Sequence, residues 1–263
     1  MTGAPGSAPD GIRLERVSKT FGAVTAVDDL SLAVQAGEVY GLIGPNGSGK
    51  TTTVRMLSGL YRPTAGRITV AGVDLASAPA RAKRGLGYIP DEPVLYERLS
   101  GWEFLHLMGT LYGVPRALRQ ARIERLLDLF PLTGVLDGVT GAYSRGNKQK
   151  LVILAALLHE PRVLVVDEPI VGLDPESALA VRELVRDFAE GRGGAVLVST
   201  HTLGFAEAVC HRVGLLREGR LVTEGDLATL RRAAGLPGAS LEALYLHLTR
   251  RSPAPASAPP RPD

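Results

Sequence analysis

Cysteine and clustered basic residues are scarce in this chain of 263 residues. Cys210 is the only cysteine, so no intrachain disulfide can form and we expect a reducing compartment. The net charge is only +3 at pH 7, and Lys and Arg form no block of the kind that binds nucleic acid. We therefore expect no nucleic-acid partner.

Long hydrophobic runs are also missing. The longest aliphatic stretch, residues 151–158, is far shorter than the ~20 residues that a membrane-spanning helix needs. The first ten residues are small and polar and show no secretory signal. We expect that the chain cannot cross a bilayer by itself, so any part in transport would be shared with a membrane partner.

Composition divides the chain into a core and two ends. Residues 1–10 predict a flexible leader, and residues 252–263, rich in Pro and Ala, predict a disordered tail. Between them, one α/β domain is expected over residues 11–238, with a helical subdomain inserted at about 92–150. A C-terminal helix is predicted over residues 239–251.

Apolar patterning predicts the strands of the core. Residues 12–17 and 30–34 alternate apolar and polar side chains, which is typical of antiparallel strands with one face in water. Residues 39–43, 163–166 and 195–199 are short apolar runs, which indicate buried parallel strands.

Helical patterning predicts the inserted subdomain and the late part of the chain. Residues 99–138 show helical spacing without a strand signal, and residues 226–232 and 241–250 predict two late helices. We therefore expect an α/β fold with a mixed and largely parallel core sheet. An N-terminal antiparallel β-subdomain and an inserted α-helical subdomain complete it.

A glycine-rich segment follows the predicted strand at 39–43. It matches the phosphate-loop pattern GxxxxGK[ST] at Gly44, Pro45, Asn46, Gly47, Ser48, Gly49, Lys50 and Thr51, and Thr52 completes the predicted nucleotide-binding set. Glycines let backbone N–H groups converge on phosphates, and the helix predicted at 50–59 adds its positive end. Lys50 would reach the β- and γ-phosphates of ATP, and the Thr51 hydroxyl would bind Mg²⁺. The sequence predicts a P-loop NTPase core.

Two adjacent acids end the predicted strand at 163–166. The strand would bring Asp167 to the magnesium ion and Glu168 beside the γ-phosphate, where Glu168 accepts a proton from the attacking water or orients it. A helix-capping role is the structural alternative for such acids. The phosphate loop upstream favours the functional interpretation.

A second anion-binding helix end is predicted at Ser144. Ser144 offers a hydroxyl and Gly146 a backbone N–H without a Cβ, at the start of an apolar helical run. Within one chain such a site would duplicate the phosphate loop, so we expect it to close over the nucleotide of a second copy. An ordinary serine-capped helix is the alternative.

These motifs resemble those of the ABC ATPases in order and spacing over about residues 12–233. Residues 143–150 resemble the LSGGQ signature, in a divergent form similar to that of bacterial drug-exporter-type cassettes. Arg145 stands in place of the first signature glycine and Asn147 in place of the glutamine.

The resemblance implies roles for four more residues. Asp91 stands at the position of the Q-loop glutamine, near the nucleotide and Mg²⁺. Asp174 matches the D-loop residue at the dimer seam, His201 the switch histidine that senses the γ-phosphate, and Phe21 the aromatic that stacks on adenine.

The resemblance also implies a function. It is that of an ATP-hydrolysing subunit, working as a head-to-tail homodimer on the cytoplasmic face of the cell membrane. An integral membrane permease would supply the channel, for export of a drug-like or other hydrophobic substrate.

Two other functions are considered. A soluble ABC ATPase acting on nucleic acid or ribosomes would need a long coiled coil or a second cassette, and the sequence between Lys50 and Asp167 holds only a modest helical insertion. A P-loop kinase for a small molecule would have no use for the Ser144 segment.

We expect Asp91→Gln to leave ATP binding intact, because neither the phosphate loop nor Thr51 changes. A nucleotide titration tests this expectation, and loss of binding would show that Asp91 is indispensable for holding the nucleotide.

Overall fold

The computed structural model describes residues 11–132 and 134–251. The leader predicted at 1–10 and the tail predicted at 252–263 lie outside the described residues. The strands are β1 (Ile12–Phe21), β2 (Val24–Val34), β3 (Val39–Ile43), β4 (Ala65–Val70), β5 (Val73–Asp74), β6 (Leu86–Ile89), β7 (Val163–Asp167), β8 (Ala195–Thr200), β9 (Arg212–Arg217) and β10 (Arg220–Gly225).

The helices are α1 (Lys50–Leu57), α2 (Pro79–Arg84), α3 (Gly101–Leu111), α4 (Arg116–Leu127), α5 (Arg145–Leu157), α6 (Pro175–Arg186), α7 (Leu203–Val209), α8 (Leu227–Ala234) and α9 (Leu241–Arg251). A 3₁₀ turn (Thr140–Ala142) and a π-helical turn (Asp187–Gly191) complete the secondary structure of the described residues. None of the helices in these residues combines the length and apolarity needed to cross a membrane.

The first sheet is antiparallel, with strand order β2-β1-β4-β5. In the two predicted segments, Ile12, Leu14 and Val17 of β1 and Leu30, Leu32 and Val34 of β2 are buried, as the alternating pattern predicts. Both predicted strands are present, but β1 runs on to Phe21. Its polar end is held by hydrogen bonds instead of burial: Thr20 N donates to Thr64 Oγ1 at 3.1 Å and Lys19 Nζ to the Arg62 carbonyl at 2.8 Å.

The second sheet has the order β10-β9-β3-β8-β7-β6 and is parallel except for β10. Strands β3, β7 and β8 are buried along their whole length, as their continuous apolar runs predict. In the pairing register, Ile43 of β3 lies opposite Thr200 of β8, and Asp167 of β7 lies opposite Ser199. The carboxyl ends of the three strands therefore meet at one edge of the sheet.

Helix α3 begins the helical region predicted between residues 99 and 138. Ser100 Oγ accepts from Glu103 N at 3.2 Å and Ser100 N donates to Glu103 Oε2 at 2.8 Å, which is a capping box that fixes this start. Phe104 and Leu105 of α3 pack in one buried cluster with Ile123 of α4. The prediction of helices without a strand in this stretch is confirmed for its described residues.

The ends of several helices follow local chemistry. Helix α1 ends at Leu57, two residues before the predicted end at residue 59, because Gly59 takes a left-handed φ of 68°. Asp226 caps α8 by accepting from Thr229 N at 2.6 Å. The predicted helices at 226–232 and 241–250 are both present.

The side chain of Cys210 packs closely against strand β3. Gly41 of β3 lies against Cys210, since a Cβ at Gly41 would stand 2.8 Å from the cysteine sulfur. Burial of the thiol raises the pKa of Cys210 to about 12.

His159 stacks on Tyr112 with ring centroids 3.9 Å apart, and its Nε2 lies 3.1 Å from the Leu86 carbonyl, to which it donates.

His159 makes stability depend on pH. Burial lowers its pKa to about 4, and no group in the described residues pairs with its buried Nδ1. An unfolded histidine has a pKa of about 6.5, so the unfolded chain binds more protons below that pH and the free energy of unfolding falls as pH drops from about 6.5 towards 4.

We expect His159→Gln, which keeps a donor for the Leu86 carbonyl, to lose less stability in this range than the parental chain. Thermal unfolding at pH 7 and pH 5 should show a drop in Tm smaller by about 4–7 °C in the variant. Measurements at pH 8, where imidazole is neutral in both states, provide the reference. Equal drops in Tm would contradict the interpretation.

Candidate functional site

A cavity of about 380 Å³ opens at the edge where β3, β7 and β8 end. It is lined by Ala26, Asn46, Gly47, Gly49, Lys50, Thr51, Thr52, Asp91, Glu168 and His201. The structure thus brings the predicted phosphate loop together with one of the two predicted acids, the predicted Q-loop residue and the predicted switch histidine. Asp167 lines an adjoining groove that it shares with Thr51 and Asp91.

The phosphate loop can take its path only with glycine at two positions. A Cβ at Gly44 would stand 2.2 Å from the Leu216 carbonyl oxygen, and one at Gly49 would stand 2.5 Å from that of Ala26. Gly49 also has a φ of +103°, which side chains rarely adopt. The loop is therefore packed on its outer side and exposes backbone on its inner side, as an anion cradle requires.

Lys50 lies across the mouth of this loop. Its Nζ donates to the carbonyls of Gly44 at 2.7 Å and Pro45 at 3.1 Å, and the residue is buried. Burial lowers the pKa of Lys50, and the nearby carboxylates of Glu168 and Asp167 oppose that shift. The buried Ser48 hydroxyl has no hydrogen-bond partner among the described residues, which leaves a polar group free for a ligand at the cradle.

Asp167 is a buried acid at the end of β7. It accepts a hydrogen bond from Ser199 Oγ at 2.8 Å, across the β7–β8 pairing. Burial raises the pKa of this carboxyl, and the charge of Glu168 adds to the rise, whereas the bond from Ser199 opposes it. A cation near Asp167 would stabilise its charged form.

Glu168 is fixed against the end of β8 by three hydrogen bonds. Its Oε2 accepts from Thr200 Oγ1 at 2.9 Å, and its Oε1 accepts from His201 N at 3.0 Å and lies 2.7 Å from His201 Nδ1. Its backbone has a left-handed φ of 47°, which turns the side chain away from the strand direction. The carboxylate therefore has a defined position at the cavity wall.

Ser199 and Thr200 also belong to this site, although neither is among the predicted site residues. Both hydroxyls lie at the end of an apolar strand, directly before His201, and each donates to one of the paired acids. The run Ser199, Thr200, His201 was a signal for such support, since polar residues that end a buried strand need partners.

Asp167 and three residues of the phosphate loop lie beside the cavity without lining it, and four further predicted residues are absent from its lining in the described part of the chain: Phe21, Ser144, Gly146 and Asp174. Ser144 caps α5 by accepting from Asn147 N at 3.2 Å, and Asp174 caps α6 by accepting from Ser177 N at 2.8 Å. Phe21 is 43% exposed and meets Tyr61 edge-on at 5.3 Å. Their roles towards ATP stay predictions.

Comparison with known proteins agrees with this architecture. The model of the ABC transporter family matches residues 27–171. The ABC-type transporter ATP-binding protein EcsA of Bacillus subtilis is 37% identical over 84% of this chain and 90% of its own length. Nod factor export ATP-binding protein I of Burkholderia lata is 38% identical over 81% of this chain and 70% of its own length.

A solved structure of the ATP binding subunit of an ABC transporter has the same fold. It superposes with a TM-score of 0.87 at 38% identity, covering 91% of this chain and 99% of that structure. The chain belongs to the ABC transporter family and is an ATP-binding, ATP-hydrolysing domain of it. The family and the fold class predicted from the motifs are confirmed, and these comparisons give no support to a function on nucleic acid.

Gly49→Ala tests the packing of the loop. The new Cβ would force the left-handed residue and the Ala26 backbone apart. At a strain of about 1–3 kcal/mol, we expect ATP to bind about fivefold to 150-fold more weakly and Tm to fall by a few degrees.

Gly204→Ala in α7 is the matched control, because a Cβ there meets no atom within 4 Å. It should leave ATP binding unchanged and should not lower Tm, since alanine favours a helix over glycine. Titration calorimetry with ATP and a thermal melt measure both variants, and unaltered binding in Gly49→Ala would contradict the role of the loop.

Proposed function

We propose that this chain powers the export of a drug-like or other hydrophobic substrate through a permease made by another polypeptide. The observation that carries the proposal is the juxtaposition of Lys50, Glu168 and His201 in one cavity that adjoins a large groove. Lys50, Glu168 and His201 can together cleave ATP. The adjoining groove can transmit a conformational change in the cavity to a partner. The Nod factor export protein among the relatives supports export as the direction of transport.

The residues around the cavity suit Mg²⁺. Thr51, Asp91 and Asp167 line the same groove, and all three offer the oxygen ligands that this ion prefers. No cluster of three His, Cys, Asp or Glu side chains in the described residues could hold a metal alone, which is usual where substrate phosphates supply most ligands. Bound Mg²⁺ would neutralise charge on the β- and γ-phosphates.

Glu168 is the proposed base. Water attacks the γ-phosphorus while the bond to the bridging oxygen of ADP breaks, and Glu168 accepts or directs the proton that the water gives up. The hydrogen bonds from Thr200 and His201 hold the carboxylate ready for this step. Lys50 and His201 stabilise the charge that develops on the phosphate oxygens.

We infer that a second copy completes the site. Ser144 is exposed at the start of α5, and neither it nor Gly146 lines the cavity of its own chain in the described residues. A helix N-terminus of this kind attracts an anion. In a head-to-tail homodimer, that helix end would face the γ-phosphate held by the other phosphate loop, with Asp174 at the seam and Phe21 beside the adenine.

The groove of about 850 Å³ beside the cavity is the proposed seat of the permease. Thr51, Asp91 and Asp167 line its nucleotide side, and Phe104 and Met108 of α3 line its helical side. Val94 at its rim is 79% exposed, which suits contact with an apolar cytoplasmic segment of a membrane protein. The chain would thus lie in the cytoplasm, on the inner face of the cell membrane.

Glu168→Gln should trap an ATP-bound dimer. The amide keeps the shape of the side chain but cannot accept the proton, so turnover should fall at least about 100-fold while ATP still binds. Chromatography with light scattering in ATP and Mg²⁺ should show a dimer. Glu242→Gln, at an exposed position in α9, is the control that should keep parental turnover.

Further variants separate the parts of the proposal. Ser144→Glu in the Glu168→Gln background should bind ATP but remain monomeric, since a second anion would face the phosphates. Parental turnover in Glu168→Gln would show that another group is the base. Failure to co-purify with any polytopic membrane protein from the native membrane would contradict the permease.

A further inference from the structure

Asp91 and Arg145, both of which depart from the usual motifs, lie next to each other. Arg145 Nη2 is 3.7 Å from Asp91 Oδ1, and both side chains are partly exposed. That oxygen is itself shielded from solvent, and it accepts no hydrogen bond within the described residues. The guanidinium is the cation that the structure places beside it.

The path of the Arg145 side chain is fixed by Gly172. A Cβ on that glycine would stand 3.0 Å from Arg145 Nε and 3.1 Å from its Cδ. The arginine therefore lies over the segment that follows Glu168 before it reaches Asp91. It links that segment to the residue at the cavity.

The start of α5 also holds the residues around Asp91. Gln149 Nε2 donates to the Pro90 carbonyl at 3.1 Å, and Lys148 Nζ lies 3.7 Å from Glu97 Oε1. The segment that carries Asp91 is therefore held by a hydrogen bond to the Pro90 carbonyl, and the Asp91 side chain lies beside the charge of Arg145.

Charge explains why the pair belongs together. Asp91, Asp167 and Glu168 surround the place where a triphosphate binds, and each of these carboxylates repels the phosphates wherever no cation offsets its charge. Arg145 occupies the first turn of α5, where the helix dipole disfavours a cation. The charge of either residue is therefore unfavourable when it stands alone, and the two opposite charges offset each other.

We propose that Arg145 is a positioning residue of the ATPase site, which holds Asp91 at the cavity and offsets its charge towards the phosphates of ATP. The two residues act as one unit. This inference rests on the proposed role of the cavity as the ATP site.

A double-mutant cycle tests the pairing, with ATP and Mg²⁺ titrated calorimetrically into chains that carry Glu168→Gln. Arg145→Ala should weaken binding by about two- to fivefold, which is the upper part of the range measured for exposed charge pairs. Asp91→Gln provides the second background of the cycle, in which adding Arg145→Ala should leave binding essentially unchanged, since no carboxylate remains for the arginine to offset. Arg145→Lys should recover part of the loss.

The salt dependence of ATP binding distinguishes an electrostatic defect of Arg145→Ala from a packing defect. At about 1 M NaCl the screening length is about 3 Å, so the defect of Arg145→Ala should shrink, whereas a packing defect would persist. Arg67→Ala is the matched control, since Arg67 forms an ion pair of 3.4 Å with Asp74 outside the cavity. It should bind ATP as the parent does.

The outcomes are distinct. Parental affinity in Arg145→Ala, or an equal loss in the double variant, overturns the pairing while the ATP site stands. A parental chain that neither binds nor hydrolyses ATP overturns the proposed site and this inference with it.

Discussion

The parallel pairing of β3 with β8, and of β8 with β7, is the constraint on which the site depends. In this register Ile43 lies opposite Thr200 and Asp167 opposite Ser199, so three buried strands end at the same level. The phosphate loop, the paired acids and His201 then emerge side by side, although the chain separates them widely. A shift of one residue in either pairing would turn these side chains to the wrong face of the sheet.

Glu168 shows what this arrangement costs and what it achieves. Its left-handed backbone is of the kind that costs about 1–3 kcal/mol in a residue other than glycine. Three hydrogen bonds from the end of β8 hold the carboxylate in that position. The strain and the hydrogen bonds together place a charged oxygen at the cavity wall, where an unstrained strand end would point it elsewhere.

Sequence reasoning works best here where one short segment contains its own physical signal. The apolar runs of β3, β7 and β8, the phosphate loop and Asp167 were all found from local pattern. It fails where contacts between residues distant in the chain determine the structure. The polar end of β1 and the four-residue strand β6 form through partners distant in the chain, and nothing local marks the contact of Arg145 with Asp91. That contact depends on how α5 packs beside residues 90–97.

Cys210 has a practical consequence for work on the assembly. It is the only thiol in the chain, it packs against Gly41, and its raised pKa keeps it protonated and unreactive at neutral pH. A single cysteine introduced at the surface would therefore be the sole target of a maleimide label without removal of the native one. Spin or fluorescence labels on two copies could then report their separation directly, with the interior of the molecule left unchanged.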